Sequence, residues 1–597
     1  MSMTEGGIMK KLFGAFVAFI TVLALCPCFM LAAAAVTAAT GIEMGDFINL
    51  SETGAYPGPN SGHGNHQTRC VHTFHGDYCA YITDSYPSQD GTVDVWSLFK
   101  VDFETGTSEV IFTGEKYYDS SQVSLLVDKD ENVWAVTSTS DNCRNINTEG
   151  LDMRAHKLDA KTGEVTSYTG FASGGPHDGY GYGTSFYDEK NDRIICMHAG
   201  GDYRQGSTKG ASFNWTYFDM TKKRWSRTVY TVGLEARHCY MYGFVDENGG
   251  LMLMAQRDIK ISSIGYPEVG NDYGITEADR SYMWDNYIFR HSANYAWDEL
   301  DLYYIPDITK TEIYSYSIVE ADYSRVTGTQ DERYTFEKRL SNYYPANQNN
   351  NGGDFLWTQT EDGRRLLHIT YNSAYIQAAM ARSVSMEDIW YHQVWDITDP
   401  TAAKKLYCAP ISIDGRIADG VENGGGYSFR LYRDTNGTMY LISAFDPKTD
   451  KVYYKDGATK YETQYDAELT VWRIAEFHGS YFYIRVGKTK ALPGGGSLIN
   501  ISSHRGGSIT DNRVNILYLN NDGSGDYIFT GIDIFHTPCE TGDVNEDGII
   551  NAADINLLIR YTAGSFSNID PNLADIDKSS DVNAKDINMF KRILSGV

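Results

Sequence analysis

Near the C-terminus, the twelve residues DVNEDGIINAAD (543–554) place oxygen donors at alternate positions. Asp543, Asn545 and Asp547 stand at positions 1, 3 and 5, and Ile549 offers its carbonyl at 7. Asn551 falls at 9 and Asp554 at 12, while Gly548 at 6 allows the sharp turn. Ca²⁺ takes six to eight oxygens at flexible distances, and this spacing converges them. A second copy begins 32 residues later, with Asp575, Asp577, Ser579, Asp581, Asn583 and Asp586. Two Ca²⁺ sites are therefore expected. The second should bind more weakly, because Ser579 is a poorer ligand than Asp or Asn and Ser580 replaces the turn glycine.

After each loop the chain repeats Asp-Ile-Asn and then an apolar helical stripe ending in Arg560 or Arg592. An ordinary EF-hand loop ends in Glu and follows a helix; here position 12 is Asp and the first loop follows an irregular segment. Two such loop–helix units over 541–597 resemble a dockerin, the module that plugs cellulosomal enzymes into cohesins on a scaffoldin. The resemblance implies a cohesin partner, a small α-helical Ca²⁺-binding domain, and a place in an extracellular cell-surface cellulosome of a bacterium. The partner-facing positions would be Ala552, Ala553, Ala584 and Lys585, so the two faces are unequal.

A second group of candidates lies mid-chain. His177 follows Gly-Gly-Pro and opens one predicted hairpin, and His198 ends it. Arg237-His238-Cys239-Tyr240-Met241-Tyr242 opens the next, which closes at Arg257. Opposite ends of a hairpin can share one face, so Tyr240 or Tyr242 is expected near Arg257. Imidazole, phenol and guanidinium together suit proton abstraction beside a carboxylate. At these residues the chain resembles the seven-bladed propeller polysaccharide lyases of the ulvan-lyase-like group. That resemblance implies β-elimination on a uronate-containing plant polysaccharide, with His177, His198, Tyr240 (or Tyr242) and Arg257 as catalytic residues. A glycoside hydrolase would need two carboxylates flanking the bond. Asp202, Asp272, Asp285, Asp354 and Glu422 are candidates, none in a recognisable motif. A non-catalytic sugar-binding or structural propeller is the third reading.

These residues need a scaffold, and the middle of the chain reads as one. From 65 to 536 no segment sustains a 3.6-residue apolar period, and short alternating runs are separated by turn signals. One hairpin type reads strand–Asp–turn–strand, as in VSLLVDKDENVWAVTS (123–138) and YGFVDENGGLMLMAQRD (242–258). Another reads strand–Asp–x–x–Thr–Gly–strand, as in LFKVDFETGTSEVIF (98–112). Four-stranded units at this repeat length are a propeller signature, and seven units fit, with six or eight as alternatives. A β-sandwich pair or β-helix is the runner-up. The Tyr-rich stretch 259–300 reads as an inserted loop that could wall a cleft. The runs Asn347–Gly353 and Glu422–Gly426 read as loops, either inert connectors or binding edges.

The expected fold class is thus mainly β, a propeller over 65–536 followed by a helical domain at 541–597. Lys10 and Lys11 precede an apolar run from Leu12 to Val36 with small residues at its end. That order predicts a secretory signal over 1–38, cleaved to leave a secreted chain with an extension at 39–64; a retained anchor is the alternative. The seven Cys beyond it are scattered and do not form a disulfide framework, though Cys70 and Cys79 could pair across a hairpin. The 597 residues carry a net charge of -27, which excludes a nucleic-acid or anionic-membrane partner.

Overall fold

The computed structural model describes residues 41–50, 67–88, 91–117, 123–140, 151–172, 183–200, 212–234, 238–257, 259–260, 295–296, 300–319, 348–360, 362–375, 388–413, 416–418, 429–443, 468–492, 497–501, 512–519, 526–536, 539–565 and 569–595. The chain divides into two compact units. One is Ile42–Ile534; the other contains Phe535–Val597.

The larger unit is a seven-bladed β-propeller. Blade 1 runs through Cys70–Thr73, Gly76–Ser88, Gly91–Asp102 and Thr107–Tyr117, each strand antiparallel to the last. Blades 2 to 6 repeat this meander from Ser124, Thr184, His238, Gln348 and Arg430. Blade 7 holds Ser497–Ile501, Arg513–Leu519 and Tyr527–Phe535, and its outer edge is supplied by Gly41–Met44 and Ile48–Asn49. The sequence alone sets 39–64 apart as an extension. Part of it instead closes the ring, pairing with a strand nearly 500 residues away. A single closing strand has no hairpin partner nearby, so no local turn signal marks it.

Seven apolar clusters fill the seven blade-to-blade gaps. Trp96 and Leu98 of blade 1 pack on Leu125 and Ala135 of blade 2. The series continues through Phe213 of blade 3 with Leu253 of blade 4, Tyr242 of blade 4 with Phe355 of blade 5, and Phe429 of blade 6 with Trp390 of blade 5. It ends where Tyr81 and Phe99 of blade 1 meet Tyr527 and Phe529 of blade 7. Because each inner blade face packs on a neighbour, second strands such as Leu251–Ala255 are buried at every residue and lose the polar–apolar alternation of a half-exposed strand.

A recurring Asp anchors one end of several blades. Oδ1 of Asp246 accepts from the amides of Asn248 and Gly250, and its Oδ2 accepts from the Tyr304 hydroxyl. Asp434 does the same with Asn436, Thr438 and Tyr440, and Asp128 with Asp130, Asn132 and the Trp134 indole. These turns join strands 1 and 2. In blades 1 and 2, the Asp102 and Asp159 carboxylates cap the amides of the strand 3–4 turns on the same end. The opposite end carries the connections between strands 2 and 3 and between blades.

In the smaller unit, α1 (Ala552–Thr562), α2 (Pro571–Ala574) and α3 (Ala584–Ser595) pack around Val544, Leu558, Ile569, Ala574, Ile576 and Phe590. Val544 and Ile576 are equivalent in the two repeats, as are Leu558 and Phe590.

Candidate functional sites

The two C-terminal loops adopt one backbone. Positions 4 and 6 take left-handed φ in both, at Glu546 (57°) and Gly548 (80°) and at Lys578 (53°) and Ser580 (70°). Ser580 therefore makes the turn that glycine makes in the first loop, at the steric cost a Cβ brings there. Asp543 accepts from the amides of Asp547 and Gly548, and Asp575 from those of Ser579 and Ser580. Position 12 ties each loop to its helix. Asp554 accepts from Asn545 and Asn551, and Asp586 accepts from Ile576, Asp577 and Asn583. Asn551 in turn caps α1 by accepting from the Ala553 amide.

Asp575, Asp577 and Asp586 hold carboxylate oxygens within 4.8 Å of one another. Three anions that close repel strongly, and hard oxygen donors in this count and spacing fit Ca²⁺. The residues present thus suit the ion in the second loop. In the first loop Asp543, Asn545, Asp547, Ile549, Asn551 and Asp554 occupy the same positions.

Among the described propeller candidates, His198, Tyr240, Tyr242 and Arg257 fall at the end opposite the Asp-anchored turns. His177, like Asp202, Asp272, Asp285 and Glu422, lies outside the described residues. His198 is buried near the end of Arg193–Gly200, across from Asn214, and its Nε2 lies 3.6 Å from Cys196 Sγ. Cys196 packs in the gap towards blade 2.

Blade 4 carries the densest group. The strand His238–Val245 bulges between Cys239 and Tyr242, where Tyr240 takes a left-handed φ of 50°. The extra residue shifts the side-chain parity. Met241 then faces blade 3, while Tyr240 and Tyr242 face blade 5. His238 lies against Phe213 of blade 3, with ring centroids 6.3 Å apart. Its Nε2 is 2.7 Å from Asp301 Oδ2 and 3.0 Å from the Tyr303 hydroxyl. The register sets Arg257 directly opposite His238, one residue before Cys239, which an unbroken ladder would place there. The bulge is the reason. The Arg257 side chain lies outside the described residues.

Tyr242 is buried, and its hydroxyl donates to the Gly352 carbonyl at 3.0 Å. The run Asn347–Gly353 is largely strand, not loop, since Gln348–Gln359 forms the inner edge of blade 5. Its glycines permit close approach: a Cβ on Gly353 would fall 2.5 Å from the Trp390 ring. Asp354 uses its carboxylate on the amides of Phe355 and Leu431. Cys70 and Cys79 are directly opposed in register, buried, and present as free thiols. Burial pushes both thiols above the ordinary range. Asp301 and Tyr303 were not evident as site residues from sequence; the one available signal is an Asp within the otherwise apolar LDLYYI.

A seven-bladed propeller joined to a duplicated Ca²⁺-loop–helix module is the class that this architecture defines. The module is a dockerin: the Dockerin type I domain family matches residues 541–595. Such a domain implies calcium binding and docking on a cohesin of an extracellular scaffoldin. No curated protein matches the chain. Among solved structures it is similar to a polysaccharide lyase PL25 ulvan lyase bound to -[GlcA(1-4)Rha3S]-, at 10% identity and a TM-score of 0.39, covering 82% of this chain and 94% of that one. It is similar to an α-L-arabinanase of Penicillium chrysogenum complexed with arabinobiose, at 8% identity and a TM-score of 0.31, covering 69% and 93%. It is also similar to a Trypanosoma rangeli sialidase, at 9% identity and a TM-score of 0.34, covering 75% and 56%. The blade count rests on the strand pairing and the seven interblade clusters. No helix among the described residues is long and apolar enough to cross a membrane.

Proposed function

We propose that the chain is a secreted cellulosome component that degrades plant cell-wall polysaccharide, docked through Ca²⁺-loaded loops on a cohesin, and that its propeller cleaves uronate-containing glycan by β-elimination. The observation that carries the reading is Tyr240. A non-glycine residue in left-handed backbone is strained, and such strain concentrates at functional sites. Here it sits in a bulge beside the His238–Arg257 pair, at the end where the long connections lie.

In this reading Arg257 neutralises the uronate carboxylate, which makes the C5 proton more acidic and stabilises the enolate-like state. Tyr240, ionised to its phenolate, takes that proton and becomes a neutral phenol. The C5–H electrons form the C4–C5 double bond, and the C4–O bond breaks. His198, with His177, protonates the departing oxygen. Tyr242 is the weaker choice for the base, because its hydroxyl is already held by the Gly352 carbonyl. Asp301 Oδ2 lies 2.7 Å from His238 Nε2 and positions that imidazole in the strand opposite Arg257.

The test is a panel of uronate polymers incubated with the full chain. Ultraviolet absorbance from an unsaturated uronate end is the expected product. Tyr240→Phe should lower the rate roughly 10²–10⁴-fold, the usual worth of a general acid or base. Reducing ends without that absorbance would replace the lyase reading with hydrolysis. Retention on glycan with no product at all would leave a binding module.

A further inference from the structure

The turn and short strand after Asp219 read Met-Thr-Lys-Lys-Arg-Trp-Ser-Arg (220–227), so Lys222, Lys223, Arg224 and Arg227 stand within six residues of a chain with net charge -27. They lie on blade 3, where Arg224–Trp225 forms the outer edge beside Phe218 and Asp219. This is the Asp-anchored end of the propeller, away from Tyr240 and Arg257. A groove of about 640 Å³ opens there between blades 2 and 3, lined among others by Thr169, Tyr217, Arg224, Ser226 and Arg227. Asp219 is the one carboxylate among its lining residues, and Lys222 already engages it at 2.6 Å. Arg224 and Arg227 are exposed.

We infer that this groove is an accessory binding site for an acidic polysaccharide whose charge is carried by carboxylates on sugar rings. Exposed charges further away than about 8 Å are largely screened at physiological salt, so the local cations outweigh the distant acidic surface. Guanidinium groups pair with carboxylates through two parallel N–H donors. The rest of the lining suits a sugar rather than a bare anion. Tyr217 offers partly exposed ring surface alongside the buried Trp225, and Thr169 and Ser226 offer hydroxyls. Trp225 is also fixed in place. It fills the notch left by Gly170, and its indole N–H donates to the Tyr168 carbonyl at 3.3 Å. The site holds polymer to the propeller whether or not the opposite end cleaves it.

The test is affinity electrophoresis of the full chain in native gels containing polygalacturonate, a neutral β-glucan or polyphosphate. Expected is retardation by polygalacturonate alone, weakened by added salt. The double variant Arg224→Ala/Arg227→Ala should bind polygalacturonate at least tenfold more weakly, about 1.4 kcal/mol, with an unchanged thermal midpoint. Equal retardation of the double variant would overturn the proposal, as would equal retardation by β-glucan or retardation by polyphosphate alone. Failure here is separable from failure of the lyase reading. Retardation without unsaturated product removes the lyase and keeps the groove; product with no effect of the double variant removes the groove and keeps the lyase.

Discussion

Acid should destabilise the propeller through histidines buried as neutral bases. His368 is fully enclosed between blades 5 and 6, with Nδ1 3.0 Å from His392 Nε2 and the Tyr481 ring edge-on to it. Burial pushes its pKa down to about 4 from an ordinary 6.5. Burial, helped by Arg154, pushes His156 down to about 4 as well. His392, buried and facing His368, lies well below its ordinary value. A histidine whose folded pKa is depressed is protonated first in the unfolded chain. Stability is therefore unaffected above about 6.5 and falls as pH drops from there towards 4. At about 1.36 kcal/mol per pH unit, His156 and His368 each cost about 2 kcal/mol at pH 5 and about 3 at pH 4. Together they remove about 4 kcal/mol by pH 5, a large share of a usual folding free energy. The propeller unit spans Ile42–Ile534, so its unfolding entropy is about 1 kcal/mol/K and the expected loss is about 4 °C. The assay is the thermal midpoint by tryptophan fluorescence from pH 7 to 5, a window in which most carboxylates remain ionised. His156→Gln/His368→Gln should flatten that decline by about 4 °C. Parallel curves for the variant and the parent chain would refute the argument.

Two other outcomes follow from the packing and the loops. Chelation of calcium should melt the helices of 541–595 and abolish cohesin capture while the propeller midpoint stays fixed; calcium at a thousandfold over its dissociation constant adds about 4 kcal/mol to that domain, read by far-ultraviolet dichroism. Gly170→Ala places a Cβ 2.2 Å from Trp225 Cδ1 and 2.6 Å from its Cβ, a backbone-proximal clash that the ring cannot swing away from. It should cost about 1–3 kcal/mol, measured as a lower unfolding midpoint.

Much of the scaffold was legible because its signals are local. The Asp at the end of a first strand is needed to satisfy turn amides two and four residues on, as at Asp246 and Asp434, so the motif recurs wherever the turn does. The Ca²⁺ loops were legible for the same reason: their donors are set by spacing within twelve residues. What escaped was non-local. Gly41–Met44 joins blade 7 through pairing at the far end of the chain. Asn349–Gly353 looked like a loop because glycine and asparagine favour turns, but the tight Gly353–Trp390 contact makes glycine a packing requirement inside a strand.

The site was legible only as a neighbourhood. Hairpin logic placed His238, Tyr240, Tyr242 and Arg257 at one end of blade 4, and the strands do run there. It could not supply the bulge, because an extra residue leaves the alternating pattern almost unchanged in a strand buried on both faces. Yet the bulge sets the local geometry: it puts Tyr240 in left-handed backbone, sets His238 opposite Arg257, and turns His238 towards Asp301 and Tyr303. Deleting Cys239 would restore regular alternation, leave His238 on the blade 3 side with its 2.7 Å contact to Asp301, and remove the left-handed backbone at Tyr240. If the β-elimination reading holds, that deletion should abolish product formation while the interblade cluster around Tyr303 and Phe213 still supports a folded blade.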